Sequence, residues 1–275
     1  MKRSLDPAVL RPRKWLSQNF LKDPNIIRKI MEACDLKKDD RIFEIGPGKG
    51  ALTKELIPSV ESITAVEKDS RLAQHLQTQF FNTNLTVINN DILEFPFESL
   101  VAPMKGIGNL PYHIASPIIE RIMIHRKKFS VFYMTVQLEH GLRMIAQPSS
   151  RDYSAFSCFV QYYAQAEKLF TIRNTSFDPA PKVQSCFLKL LFRKNPVTPA
   201  ADEDFLFSVI HTAFQQRRKT ILNALQRLAD KSTLQGIFIQ CQIPGQARAE
   251  NLDLKQFVDL SNRLGIALKK KMAGI

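Results

Sequence analysis

The chain has 275 residues, 44% of them hydrophobic and 24% charged, a balance that supports a buried core and excludes a disordered polymer. Its 39 Lys and Arg outnumber its 26 Asp and Glu, for a formal net charge of +13. No run reaches the roughly 18 consecutive apolar residues of a membrane helix. The basic start M-K-R-S-L-D-P lacks the apolar stretch of a secretory signal, so a cytoplasmic protein with no membrane partner is expected. The charge is unevenly placed. Residues 1–30 carry eight basic and two acidic side chains, residues 31–177 carry sixteen of each, and residues 178–275 carry fifteen basic and eight acidic. Basic surfaces confined to the two ends suit a phosphate backbone, and no amphipathic basic helix opens the chain to favour a membrane instead. Nucleic acid is the expected partner. Cys34, Cys158, Cys186 and Cys241 are scattered without a C-x-x-C, and the five histidines are dispersed, so neither a disulfide framework nor a metal site is expected.

In chain order, a basic arm occupies residues 1–22, and its Arg11, Arg13 and Lys14 are expected to order when cofactor or RNA arrives. A helix then starts at D-P-N-I-I-R-K-I-M, with Asp23 as N-cap, Pro24 in the first helical position and Ile26, Ile27, Ile30 and Met31 as the apolar face. Strands are predicted at 41–45, 62–66, 85–88, 105–108, 130–135, 168–171 and 184–192, with helices at 51–57, 69–80, 116–125 and 137–147. That alternation implies crossover connections and an α/β core with a mostly parallel sheet. The pattern changes at K-N-P-V-T-P-A-A-D-E-D (194–204), a linker by its prolines and small residues. Beyond it only helices are predicted, at 205–215, 217–229 and 254–264, so a core of residues 23–195 is followed by a small, basic, all-α domain of residues 196–275.

The first core strand runs into E-I-G-P-G-K-G (44–50), and glycines between a strand and a helix let backbone approach a ligand closely. The second strand ends in Glu67, placed to accept from ribose hydroxyls, and the third delivers Asn90 and Asp91. The spacing G-x-G-x-G is neither that of a dinucleotide site nor that of a Walker loop, and no arginine in the loop would counter a 2′-phosphate. A ligand with a ribose but no phosphate is S-adenosylmethionine. Asp91 would then hold its adenine amine.

After the fourth strand comes Asn109-Leu110-Pro111-Tyr112. An amine on a nucleobase is a poor nucleophile because its lone pair is delocalised into the ring. The Asn109 amide oxygen and the Leu110 carbonyl, accepting its two hydrogens, would localise that pair, and Pro111 would fix the carbonyl's aim. Tyr112 offers a face on which the base can stack. Phe177 opens F-D-P-A-P-K-V-Q-S, and in a proline-stiffened loop it could cover the other face of an extruded base. On a predicted helix in the C-terminal domain, Arg217, Arg218 and Lys219 could grip phosphates.

Together Q-N-F-L (18–21), E-I-G-P-G-K-G-A-L-T (44–53), V-E-K-D (66–69), N-D-I-L (90–93), N-L-P-Y (109–112) and F-D-P-A-P-K-V-Q-S (177–185) resemble the ribosomal RNA adenine dimethyltransferase family. F-Q-Q-R-R-K-T-I-L-N-A-L (214–225) and A-R-A-E-N-L-D-L-K-Q-F (247–257) are similar to its bacterial small-subunit branch. The resemblance implies a Rossmann-like methyltransferase core and dimethylation of two adjacent adenines near the 3′ end of small-subunit ribosomal RNA during assembly. It also implies that Asn19, Leu21, Gly46, Glu67, Asp91 and Asn109 contact S-adenosylmethionine. Ser17, Asn90 and His113 depart from the family's usual Gly, Gly and Asn, and the family chemistry needs no histidine at 113. A monomer is expected. The competing readings are a large-subunit methyltransferase of the antibiotic-resistance branch and a binding or assembly factor that has lost catalysis.

Overall fold

The computed structural model describes residues 11–13, 16 and 18–272; the rest of the basic arm, Lys14 included, lies outside the described residues. In chain order the elements are β1 (Phe20–Leu21), α1 (Pro24–Ala33), β2 (Arg41–Ile45), α2 (Thr53–Leu56), β3 (Ser62–Glu67), α3 (Ser70–Gln79), β4 (Leu85–Asn89) and β5 (Met104–Asn109). There follow α4 (Ala115–Ile124), β6 (Phe129–Gln137), α5 (Leu138–Ile145), α6 (Ala155–Tyr163), β7 (Ala164–Ile172), β8 (Phe177–Asp178) and β9 (Ser185–Phe192). The chain ends in α7 (Glu203–Phe214), α8 (Ile221–Leu225), α9 (Lys231–Gln240) and α10 (Leu254–Met272).

Two compact units divide these elements: the described residues up to Gly141 with Gln165–Phe192, and Leu142–Ala164 with the residues from Arg193 onward. The first holds a seven-stranded sheet in the order β4-β3-β2-β5-β6-β9-β7. Strands β4 to β6 pair in parallel, whereas β9 runs antiparallel to β6. Successive strands move outward from β2 through β3 to β4, and the chain then returns to β5 on the other side of β2. That reversal opens a crevice at the carboxyl ends of β2 and β5, where open α/β sheets bind ligands.

Alternation along β2 covers the sheet on both sides. Ile42 joins Ile30 of α1, Ile63, Ala65 and Ile107 in one apolar cluster. Phe43, on the opposite face, meets Phe95 and Phe129 with ring centroids 5.3 and 5.7 Å apart. Helix α1 begins as the sequence indicates: the Asp23 side chain accepts from the Asn25 N–H and Pro24 stands in the first turn. Gly106 of β5 lies opposite Phe132 of β6, and a Cβ there would come within 2.0 Å of that fully buried ring. Gly106→Ala is therefore expected to destabilise the first unit by about 3 kcal/mol, read as a lower urea midpoint with an unchanged slope.

The sequence reading keeps residues 142–164 in the core, yet they cluster with the C-terminal helices. The reason lies in α6, where Phe159, Tyr162 and Tyr163 each pack on Phe207 of α7, at 5.3, 5.5 and 5.7 Å between centroids. Both tyrosine hydroxyls donate to Glu203, an acid in the first turn of α7. Spacing of apolar residues marks a helix without saying which core it joins. The expected helix at 217–229 is also shorter. The Thr220 hydroxyl accepts from the Asn223 N–H and so caps α8, which places Arg217, Arg218 and Lys219 in the turn before it. Among the described residues no helix is long and apolar enough to cross a membrane, and no group of three His, Cys, Asp or Glu could hold a metal ion.

Candidate active site

At the carboxyl end of β2 the glycine loop turns sharply. Gly46, Gly48 and Gly50 all have positive φ, +63°, +61° and +80°, the left-handed conformation that a side chain resists. A Cβ on Gly48 would also press on the Phe20 ring at 3.0 Å. Glu67, at the end of β3, is only 6% exposed. Its Oε2 accepts from the Gly48 N–H at 3.0 Å and its Oε1 from the Asp69 N–H at 2.9 Å. Each oxygen keeps acceptor capacity toward the crevice. Burial pushes the Glu67 carboxyl above its ordinary range, against the pull of those N–H groups.

Beneath the loop Glu44 is buried, with the Thr53 hydroxyl donating to its Oε2 at 2.8 Å. Desolvation raises this carboxyl to about 8, more than the Thr53 bond lowers it, and the Glu67 charge adds to the rise. A carboxyl raised on folding contributes stability below its unfolded value near 4.5 and loses it as pH rises through about 8. Glu44→Gln is accordingly expected to melt higher than wild type at about pH 9 and close to it at about pH 5, which thermal melts across that range would test.

The crevice contains about 930 Å³ of empty space, counting the solvent at its open mouth. Its lining includes Gln18, Asn19, Gly46, Glu67, Asp91, Asn109, Leu110 and Tyr112, so most of the sequence-predicted residues share one site. Asp91 accepts from the Leu93 N–H at 3.0 Å and pairs with Lys68. Desolvation opposes its charge, but the Lys68 ammonium and that N–H prevail and hold the carboxyl below its ordinary value. Asn109 closes β5. Its Nδ2 donates to the Asn19 carbonyl at 2.9 Å, while its Oδ1 is buried and has no partner among the described residues. Leu110 follows, its N–H donating to the Thr135 carbonyl at 3.0 Å, and Tyr112 begins a 3₁₀ turn. His113 is exposed at the rim.

One expected site residue, Phe177, lies away from the crevice. The Phe177 ring is 1% exposed and belongs to the apolar cluster under the sheet, so it does not offer a face to a base in this structure. Its neighbour across the two-stranded pairing of β1 with β8 is Leu21, whose side chain is buried in the same cluster while the residue also borders a small pocket with Gly46, Gly48 and Asn109. This short pairing carries no alternation from which sequence could foresee it. In the second unit Arg217 donates to the carbonyls of Arg151 and Tyr153 at 3.0 and 3.3 Å and pairs with Glu250 at 3.3 Å. That makes it a loop anchor although all three cations of the triad are exposed, and leaves Arg218 and Lys219 as the two not engaged in that anchor.

Gln18 joins the arm to the core: its Oε1 accepts from the Arg13 N–H at 2.8 Å and its Nε2 donates to Asp69 at 3.2 Å. Leu16 is also buried and lines the crevice, so this part of the arm packs against the core. The Q-N-F-L motif was the available signal for Gln18, but its partner Asp69 is distant in sequence.

A family profile for ribosomal RNA adenine dimethylase matches residues 9–265. Ribosomal RNA small subunit methyltransferase A of Moorella thermoacetica is 40% identical over 266 residues, covering 92% of each chain. The protein of the same name in Protochlamydia amoebophila is 38% identical over 261 residues, covering 92% of this chain and 91% of its own. Among solved structures, a dimethyladenosine transferase from Plasmodium falciparum superposes with a TM-score of 0.76 at 26% identity, covering 93% of this chain and 98% of that one. The 23S rRNA methyltransferase ErmE superposes at 0.70 and 25% identity, covering 90% and 100%. The chain belongs to the ribosomal RNA adenine dimethylase family.

Proposed function

We propose that this protein uses S-adenosylmethionine to dimethylate the exocyclic amines of two adjacent adenines near the 3′ end of small-subunit ribosomal RNA. It acts on the assembling small subunit, as a monomer in the cytoplasm. One observation carries the reading: Asn109 Nδ2 donates to the Asn19 carbonyl, and its buried acceptor, Oδ1, beside the crevice, has no partner among the described residues. An orphaned buried acceptor is costly unless a ligand donor completes it. An adenine amine is such a donor.

The residues fit the methyl donor. Glu67 has the capacity to accept from both ribose hydroxyls, Asp91 is an ionised acceptor for an adenine amine, and the left-handed turn at Gly46 brings backbone to the crevice wall. Asn19 also lines that wall. When bound, S-adenosylmethionine supplies an electrophilic sulfonium methyl. The chain's own work is placement. Asn109 Oδ1 and the Leu110 carbonyl accept the two amine hydrogens, which concentrates the nitrogen lone pair, and the face of Tyr112 supports the base. Holding nucleophile and methyl in line supplies most of the acceleration, and the displaced proton passes to water. No strong base is required, which suits the exposed His113 at the rim.

Arg218 and Lys219 serve the RNA backbone. Alanine at either is expected to weaken RNA binding without base preference and to lower the salt slope by about one. Arg217→Ala should instead lower the melting temperature, because it frees the loop at Arg151–Tyr153. Methyl transfer to unmodified small subunits, compared with transfer to isolated large-subunit RNA, tests the substrate. Transfer to the small subunit alone is expected. Transfer to large-subunit RNA alone would assign the protein to the other branch.

A further inference from the structure

We infer that Ser185 is a positioning residue for methyl transfer, acting through the Tyr112 hydroxyl. The inference rests on the role proposed for Tyr112 as the platform for the target base. Ser185 opens β9 and is fully buried, and it lies 73 residues beyond Tyr112. Its Oγ stands 2.5 Å from Tyr112 Oη, a full O–H···O hydrogen bond. Ser185 is outside the crevice lining, so it cannot touch the base itself.

The hydroxyl pair answers a geometric problem. Tyr112 follows Pro111 and begins a 3₁₀ turn closed by the Ile114 N–H donating to the Pro111 carbonyl at 3.2 Å. That turn fixes the Cα but leaves the ring free to choose among rotamers. Stacking needs the ring face in one orientation, and a phenyl ring would stack as well as a phenol. The Tyr112 hydroxyl is therefore explained by a tether at the far end of the ring. The tether point is rigid: Ser185 is registered opposite Gln137 at the end of β6, and the adjacent Gln184 carbonyl accepts from the Leu138 N–H at 2.9 Å. Burial raises the Tyr112 phenol above its ordinary value, so it stays protonated and the bond stays neutral.

Steady-state methyl transfer to unmodified small subunits by Ser185→Ala, Tyr112→Phe and the double variant tests this. Each single change is expected to lower kcat about tenfold, through loss of alignment, with KM for S-adenosylmethionine within about twofold of wild type. Because both changes remove one bond, the double variant should fall by about the same tenfold rather than a hundredfold. Wild-type kcat in either single variant, or a multiplicative loss in the double, overturns the inference. So does a loss of S-adenosylhomocysteine affinity in proportion to kcat, which would mark a structural role only. If Ser185→Ala does not fold, Tyr112→Phe carries the decision alone. A wild-type protein that methylates no adenine would instead remove the functional reading beneath it.

Discussion

Asn109→Ala is expected to slow methyl transfer by at least about a thousandfold, close to 4 kcal/mol of transition-state stabilisation. The loss is this large because the amide oxygen acts as the lone pair localises, not while the base merely binds. Orientation of the amide is unambiguous: the Asn19 carbonyl can only accept, so Nδ2 must face it and Oδ1 must face away. Affinity for S-adenosylmethionine should fall no more than about fivefold, the worth of one neutral hydrogen bond. Single-turnover rates with calorimetric titration of S-adenosylhomocysteine separate the two quantities. A variant that loses rate and cofactor affinity equally would make Asn109 a cofactor residue only.

Glu67→Ala should act on the other term. Hydrogen bonds to a charged acceptor are worth about 1.5–3 kcal/mol each, so losing those to two ribose hydroxyls lowers cofactor affinity by at least about a hundredfold. The loop contributes to the effect, because Gly48 and Asp69 would lose the acceptors that hold their N–H groups at 3.0 and 2.9 Å. At saturating cofactor much of kcat should return, and RNA binding should be unchanged. Full activity of Glu67→Ala at low cofactor concentration would contradict the ribose assignment.

Those two residues were legible in sequence for the same reason. Each sits where an apolar strand run stops, and the strand ends of a parallel sheet share one edge, so reading the runs locates the crevice. The three glycines belong to the same signal, since their spacing after β2 reports a left-handed turn. What sequence misread depends on pairings across long separations. Phe177 was expected to face a base, but β8 pairs with β1, more than 150 residues earlier, and turns the ring into the core. Gln18 meets Asp69 and Tyr112 meets Ser185 across 51 and 73 residues, with no periodicity linking either pair. The basic triad at 217–219 falls in a turn because Thr220 caps α8, and helical spacing of apolar residues does not mark where such a cap interrupts it.

The most direct test of the central claim is the identity of the product. Small subunits lacking modified adenines would be incubated with labelled S-adenosylmethionine, and their RNA digested to nucleosides. The account predicts label in N6,N6-dimethyladenosine, absent when Asn109→Ala replaces the wild type. Tight binding to the subunits without any transfer of label would contradict it and make the protein an assembly factor with a vestigial site.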